Sequence, residues 1–402
     1  MQKIAIFLTI FGCLIAFTWA ISIPNLPFSD PQIYHQSATS LATGKGYPYS
    51  SWAPGYAFYI SGFYFLFIPD PKAAFIANFL AYVALVIGVY LLGKLLYSVH
   101  TARWAAALTA LYPGWIFYTT ILASELFFSA LLVWSFWSIG QGFKKENSKA
   151  WAILGGMLLG IAVLTRPQAL IIPLALLLLI PVTHASIKRS VGTLCIVIIS
   201  MIIVILPWTI RNYKVIGEPT IVSNNFGWNL WIGNHEGATG RYVDKDNVVE
   251  KEHLENLSNS EQDTALKEIA VQYIRQHPWQ FMKLVVKRVY YTLRSESIGV
   301  TWNEPGIEER LGRQWIFPLK ILENLGWYAI LISFGVCLFF ASWRESSNAL
   351  LLWTMILLSI PFILFQAQDR FHLPLVPFMV MYISGNAGAI FPIRLRSNYT
   401  PK

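Results

Sequence analysis

A handful of ionisable residues stand at the ends of long apolar runs, where a charge is costly and by default marks a functional site. They are Asp30, Asp70, Glu125, Arg166, Arg211, Asp369 and Arg370. Asp30 is suited to act as a base or a metal ligand, and Glu125 to position an acceptor. Arginines at such places suit a phosphate, which a guanidinium meets with paired hydrogen bonds. Residues 278–294 read as a basic amphipathic helix, the kind that lies in a membrane interface and attracts anionic head groups. Within it, Lys283, Lys287 and Arg288 offer either a phosphate ligand or a solvated basic face. His235, alone in a Gly- and Asn-rich run, does not make a metal site.

Each candidate has a plainer reading. Asp30-Pro31 can simply start a helix, with Ser29 or Asp30 as the cap and Pro31 in its first turn. Glu125 can be half of a structural ion pair with Arg166. Arg166 can snorkel to the interface. Asp369 and Arg370 can neutralise each other.

The elements that must hold these residues are membrane helices. Of 402 residues, 55% are hydrophobic and only 13% charged, against about 25% charged in a soluble domain. Mean hydropathy is +0.50. The 16 Trp and 19 Tyr fit interfacial belts. Cys13, Cys195 and Cys337 lie far apart in apolar runs, which suits small packing residues and not a disulfide framework or a metal site. Residues 1–23 lack a small-x-small cleavage site and run into Pro24 and Pro27, so they read as an uncleaved first span.

The pattern predicts an all-α polytopic protein of about ten spans, at roughly 3–23, 73–97, 103–122, 125–141, 151–165, 168–184, 191–210, 326–342, 348–366 and 373–391. Residues 53–68 are apolar but short and bounded by Pro54 and Pro69, which suits an interfacial or re-entrant segment. Three regions follow: a transmembrane catalytic module over 1–210, whose first outer loop is 24–72; an outer loop subdomain over 211–325; and C-terminal helices over 326–402. With the N-terminus inside, the inner ends hold Lys3, Lys94, Arg103, Lys144, Lys145, Lys149, Lys188, Arg189, Arg344, Arg394, Arg396 and Lys402 against only Glu146 and Glu345. That asymmetry predicts an N-in, C-in orientation and accounts for the basic pI, so a nucleic-acid partner is not expected. All seven ionisable candidates then fall on the outer face.

Several short motifs run in order along the chain: Ser29-Asp30 with Tyr34 and Gly44; Trp52-Ala-Pro54-Gly55-Tyr56; Ser124-Glu125; Leu164-Thr-Arg166-Pro167; Pro207-Trp208 with Arg211-Asn212; Gly227-Trp-Asn229-Leu-Trp231-Ile-Gly233-Asn234; and Asp369-Arg370-Phe-His-Leu-Pro374 with Pro377. Together they resemble the bacterial branch of the GT-C membrane glycosyltransferases, the protein-mannosyltransferase-like group that includes lipid A aminoarabinose transferase. The resemblance implies a polyprenyl-phosphate-linked sugar as donor, and an acidic residue in the first outer loop, here Asp30, as base or organiser of the acceptor. Such a donor would present its reactive carbon at the outer face of a bacterial inner membrane, and one direct displacement there by a lipid, glycan or protein acceptor would invert the anomeric configuration. Glu125 would assist Asp30. Arg166, Arg211, Lys287 and Arg370 would hold the donor phosphate, and Tyr34, His35, Tyr56, Asn229, Asn234 and Asp369 would line the substrate pocket. The chain differs from larger members in lacking their extra C-terminal spans and soluble domain.

No cofactor is required by these residues. A divalent metal ion between Asp30 and a phosphate is compatible with them, but no ligand cluster demands one. Three other readings compete: a transporter or flippase of lipid-linked sugars, an O-antigen polymerase or ligase, and a non-catalytic assembly factor. A transporter calls for polar residues at mid-membrane depth and broken helices, whereas these charges cluster at span ends.

Overall fold

The computed structural model describes residues 2–144, 149–217, 220–242, 254 and 257–390. Lys145, Glu146, Arg394, Arg396 and Lys402, which entered the charge count, lie outside them, as does most of 243–256. Among the described residues the regular structure is helical, apart from one isolated bridge between Arg241 and Ala367.

Among the described residues, six segments are long and apolar enough to cross a membrane: α1 (Gln2–Ser22), α4 (Pro71–Leu96), α7 (Ser124–Lys144), α11 (Ile187–Ile216), the stretch Arg313–Phe340 that contains α17 (Ile316–Phe340), and α18 (Ser346–Leu364). The remaining expected spans are shorter or broken, and prolines explain the breaks. The stretch expected over 103–122 splits at Pro113 into α5 (Val99–Leu111) and α6 (Pro113–Tyr118). The stretch expected over 168–184 is a 3-10 turn from Pro167 followed by α9 (Pro173–Leu176) and α10 (Leu179–Thr183). Residues 151–165 lie in α8 (Lys149–Thr165), and the last apolar segment is α19 (Val376–Ile390). The short apolar stretch after Pro54 forms α3 (Gly55–Leu66). At about 1.5 Å per residue its 12 residues reach only ~18 Å, too short to span.

Close helix contact rests on small residues. In α8, Gly156 and Gly160 sit four apart on the face against α11. A Cβ at Gly156 would meet the Val197 carbonyl oxygen at 2.4 Å, and one at Gly160 the Met201 oxygen at 2.9 Å. Glycine at this spacing lets two backbones approach where lipid offers no hydrophobic drive. The opposite strategy appears on α1, where Phe7, Phe11, Leu14 and Ile21 are exposed, as a lipid-facing surface should be.

One end of this bundle carries shorter helices. These are α2 (Asp30–Ala42), α12 (Phe226–Gly233), α13 (Asn259–Gln276), α14 (Pro278–Leu293), α15 (Ile298–Thr301) and α16 (Glu304–Arg310). α12 packs on α13 through Leu230, Trp231, Leu266 and Ala270. α14 is the expected amphipathic helix, but its faces are distributed differently. Trp279, Met282, Val286 and Tyr290 form the exposed row, at 69%, 51%, 68% and 62% exposure, while Arg288 is wholly buried. The amphipathic pattern does not reveal that Arg288 belongs to the inward face.

Arg288 ties three elements together. Its Nη1 donates to the carbonyl oxygens of Ile363 and Leu364 at 2.7 and 3.1 Å. Its Nη2 donates to the Gly233 carbonyl and, at 2.8 Å, to Asn234 Oδ1. Each buried acceptor left without a donor costs about 1–3 kcal/mol. Arg288→Met should therefore lower unfolding stability by roughly 3 kcal/mol or more, read as a fall in the thermal midpoint of the detergent-purified chain. Lys287→Met, on the exposed side, should leave that midpoint in place.

Candidate active site

The loop between α1 and α2 brings Asp30 into position. It is pinned at Asn25, whose Nδ2 donates to the Thr120 carbonyl at 2.9 Å and to Asn303 Oδ1 at 3.0 Å. α2 then starts at Asp30, but not as a capped helix. Ser29 has φ 55°, ψ −134°, and no side chain caps the first turn. A non-glycine residue held there costs on the order of 1–3 kcal/mol, a strain that collects at functional sites. The capping reading of Asp30 fails because its carboxylate turns the other way, to Arg370.

Arg370 is the centre of the cluster. Its Nη2 donates to Asp30 Oδ2 at 2.5 Å, its Nε to Gln368 Oε1 at 2.8 Å, and the same Nε lies 3.6 Å from Glu125 Oε1. Its guanidinium stands 4.7 Å over the Trp302 ring. Burial alone would weaken the charged form. Asp30 and then Glu125 outweigh burial and raise the Arg370 pKa above the usual arginine value. The expected Asp369–Arg370 neutralisation does not occur: Asp369 instead accepts from Ser295 Oγ at 2.8 Å.

Glu125 opens α7 and is 1% exposed. It is held by Arg166 Nη1 at 2.9 Å, which confirms the ion pair between them. Arg166 follows α8 directly, and its Nη1 also reaches Ser124 Oγ at 3.3 Å. Two carboxylates and two guanidiniums thus meet where α2, α7, α8 and the loop before α19 converge. Asp30 is the most accessible of the four, with 25% of its side chain exposed against 1%, 17% and 11% for Glu125, Arg166 and Arg370.

An aromatic wall stands beside the cluster. The Tyr34 hydroxyl donates to Ser124 Oγ at 3.4 Å, and its ring packs edge-on against Trp52 and Tyr56 at 5.5 and 5.0 Å. Burial pushes the Tyr34 hydroxyl up to about 12, so it stays a donor. Tyr56 points its own hydroxyl to Asn78 Oδ1 at 2.8 Å. Arg211 lies farther along the wall: it stacks on Trp208 at 4.8 Å and donates to the Tyr47 carbonyl at 2.8 Å.

The other expected residues sit elsewhere. His35 Nδ1 contacts the Tyr64 hydroxyl at 2.7 Å on the α3 side of α2, and burial lowers its proton affinity. Asp70 caps α4 through Lys72 N at 2.8 Å. Asn234 is spent on Leu230, Leu364 and Arg288, and Asn229 on Asn225 and Gln366. Lys287 is exposed beside Gly240. The motif reading missed Gln368, Trp302 and the buried Glu296. Gln368 was within reach, being two residues before Arg370 in a polar loop between apolar helices.

Among the described residues no three His, Cys, Asp or Glu side chains gather as a metal set. The two carboxylates at the centre are each engaged by an arginine, and cations already placed there repel a divalent ion.

Comparison with known proteins bears on this architecture. Residues 51–210 match the family model of the dolichyl-phosphate-mannose-protein mannosyltransferases. No curated protein matches the sequence. The crystal structure of the Archaeoglobus fulgidus oligosaccharyltransferase with zinc and sulfate superposes with a TM-score of 0.58 at 16% identity, covering 96% of this chain and 49% of that one. The same organism's AglB, with an inhibitory peptide and a dolichol-phosphate, gives 0.55 at 14%, covering 96% and 50%. ArnT from Cupriavidus metallidurans, bound to undecaprenyl phosphate, gives 0.47 at 13%, covering 99% and 81%. The chain spans about half the length of the archaeal oligosaccharyltransferase it matches. Its fold is that of the matching part of the archaeal oligosaccharyltransferase, and the stretch 51–210 carries the sequence pattern of the dolichyl-phosphate-mannose-protein mannosyltransferases.

Proposed function

We propose that this chain is a glycosyltransferase that moves a sugar from a polyprenyl-phosphate-linked donor to an acceptor at the outer face of the membrane, with inversion. The observation that carries the reading is Arg370, which bridges a partly exposed carboxylate, Asp30, and a buried one, Glu125, at the ends of apolar helices. The mannosyltransferase-type match over 51–210 supports the lipid-linked donor. The charge asymmetry of the loops supports the outer face.

In this reading the cluster is a closed set of charges waiting for an anion. The donor phosphate competes with Asp30 for Arg370 and with Glu125 for Arg166. As it takes Arg370 Nη2, the Asp30 carboxylate is released from its ion pair and is free to face the acceptor. Asp30 then accepts the proton of the acceptor hydroxyl as that oxygen attacks the anomeric carbon. The bond from that carbon to the phosphate oxygen breaks, and its electron pair stays on the departing polyprenyl phosphate. Arg370 and Arg166 stabilise the charge that develops there. A single displacement inverts the anomeric configuration. Donor binding and base activation are thus one event.

Three outcomes test this. Asp30→Asn should cut radiolabel transfer from polyprenyl-phosphate sugars by about 10²–10⁴-fold with an unchanged thermal midpoint, since Glu125 still partners Arg370; a wild-type rate would sink the assignment of the base. Glu125→Ala strands Arg166 in a largely buried site, while Arg370 keeps Asp30, so unfolding stability should fall by about 3–5 kcal/mol, a loss Asp30→Asn does not share. Because both carboxylates are engaged by arginines, a chelator should leave wild-type transfer unchanged in the same membrane assay, and a rate restored only by added divalent metal would contradict the proposed site.

A further inference from the structure

Behind Arg370 lies a pair of titratable groups that the proposed chemistry does not use. Glu296 follows the end of α14, and His372 is two residues after Arg370. Both are wholly buried, with His372 Nε2 and Glu296 Oε2 2.6 Å apart. His372 Nδ1 lies 2.7 Å from the Thr292 carbonyl, and its ring stacks on Trp327 at 3.7 Å, 18° from parallel. The same two stretches of backbone meet again at Ser295 and Asp369. Arg370 is therefore held from behind at Asp369 and His372, while its guanidinium reaches forward to Asp30 and Glu125.

The position of the proton follows from these contacts. A carbonyl oxygen only accepts, so Nδ1 carries a hydrogen. A neutral ring with that tautomer presents a lone pair at Nε2. An ionised Glu296 would set its own lone pair against it at 2.6 Å, which is repulsive. The short contact thus needs a further proton, either as an imidazolium facing a carboxylate or as a carboxylic acid donating to neutral imidazole.

The surroundings select between these two. The pair is faced by Tyr112 from the end of α5, whose hydroxyl is the one group favouring an ionised Glu296, by Tyr118 from α6, Glu323 from α17, Glu125 from α7 and Asp369 from its own loop. The nearby cation, Arg370, is engaged by Asp30 and Glu125. A buried ion pair among acids carries a desolvation cost that its mutual attraction does not recover. Burial first, then Asp369 and Glu125, hold the Glu296 carboxyl well above the usual range. Burial brings His372 down to about 4.

We propose that Glu296 is kept protonated and donates to neutral His372, and that this uncharged lock is the positioning element for Arg370. Neutrality has a purpose here. A charged pair a few residues away would compete for Arg370 or repel the donor phosphate. An uncharged one fixes the backbone while leaving the field at the site to Asp30, Glu125 and the arginines. The catalytic half of the proposal rests on the glycosyltransferase reading; the protonation half does not.

The test uses the full chain purified in detergent at neutral pH. Infrared difference spectra of wild type against Glu296→Gln should show a protonated-carboxyl C=O stretch that the variant lacks. If no such band is lost, the neutral pair is refuted. In transfer assays, Glu296→Gln should retain wild-type turnover within about threefold, because its amide N–H still donates to Nε2. Glu296→Ala and His372→Phe should lose turnover on the order of 10²-fold through misplacement of Arg370, in kcat more than in KM. Equal damage in Glu296→Gln and Glu296→Ala would show that the negative charge is needed and overturn the proposal. So would an undiminished kcat in Glu296→Ala. Were wild type to transfer no sugar at all, the proposed function would fall while the infrared band still decided the protonation state.

Discussion

One guanidinium sharing two carboxylates organises this end of the molecule. Arg370 faces Asp30 from the first loop and Glu125 from α7, parts of the chain far apart in sequence, and sits on the short loop before α19. A buried charge without a partner is expensive, so the three segments cannot separate independently. That constraint explains why a strained Ser29 is tolerated and why Arg166 is drawn onto Glu125 from the end of α8. The site is thus assembled by charge where hydrophobic packing has least to offer. Within the membrane, lipid and side chains are equally apolar, and the bundle depends on close approach at residues such as Gly156 and Gly160.

Preorganisation at such a site carries a cost when it is empty. Under the proposed function, arginines that would take a phosphate are neutralised until it arrives, and the carboxylate proposed as base is the partner at hand. The charges in the cluster would thus quench one another before the donor binds. Ligand entry exchanges one set of ion pairs for another rather than creating new ones, so affinity rests on the difference between phosphate and carboxylate as partners. A bidentate phosphate contact favours the exchange.

Asp30, Glu125, Arg166 and Arg370 are legible in the sequence because each breaks an apolar run, and a charge in such a place needs a reason. Their common location at one bundle end also follows from span counting. What the pattern hides is who pairs with whom: Asp369 and Arg370 are neighbours in sequence, yet each finds its partner elsewhere. Helix breaks at Pro113 and in the 167–183 stretch are hidden as well, since hydropathy is blind to the missing N–H of a proline. Arg288 is the clearest loss. The basic face of 278–294 suggests solvent, but an aromatic and aliphatic row takes the exposed side and turns this arginine inward. Nor does a lone Glu296 after a basic helix announce its histidine, which comes from a distant loop.

The Arg288 knot also sets how this protein can yield. Its guanidinium joins α12 and α14 to the last carbonyls of α18, and from Leu364 the chain runs within a few residues to Arg370. The packing of α12 and α14 and the placement of Arg370 therefore hang from the same short stretch of backbone at the end of α18, so a change at Arg288 bears on both.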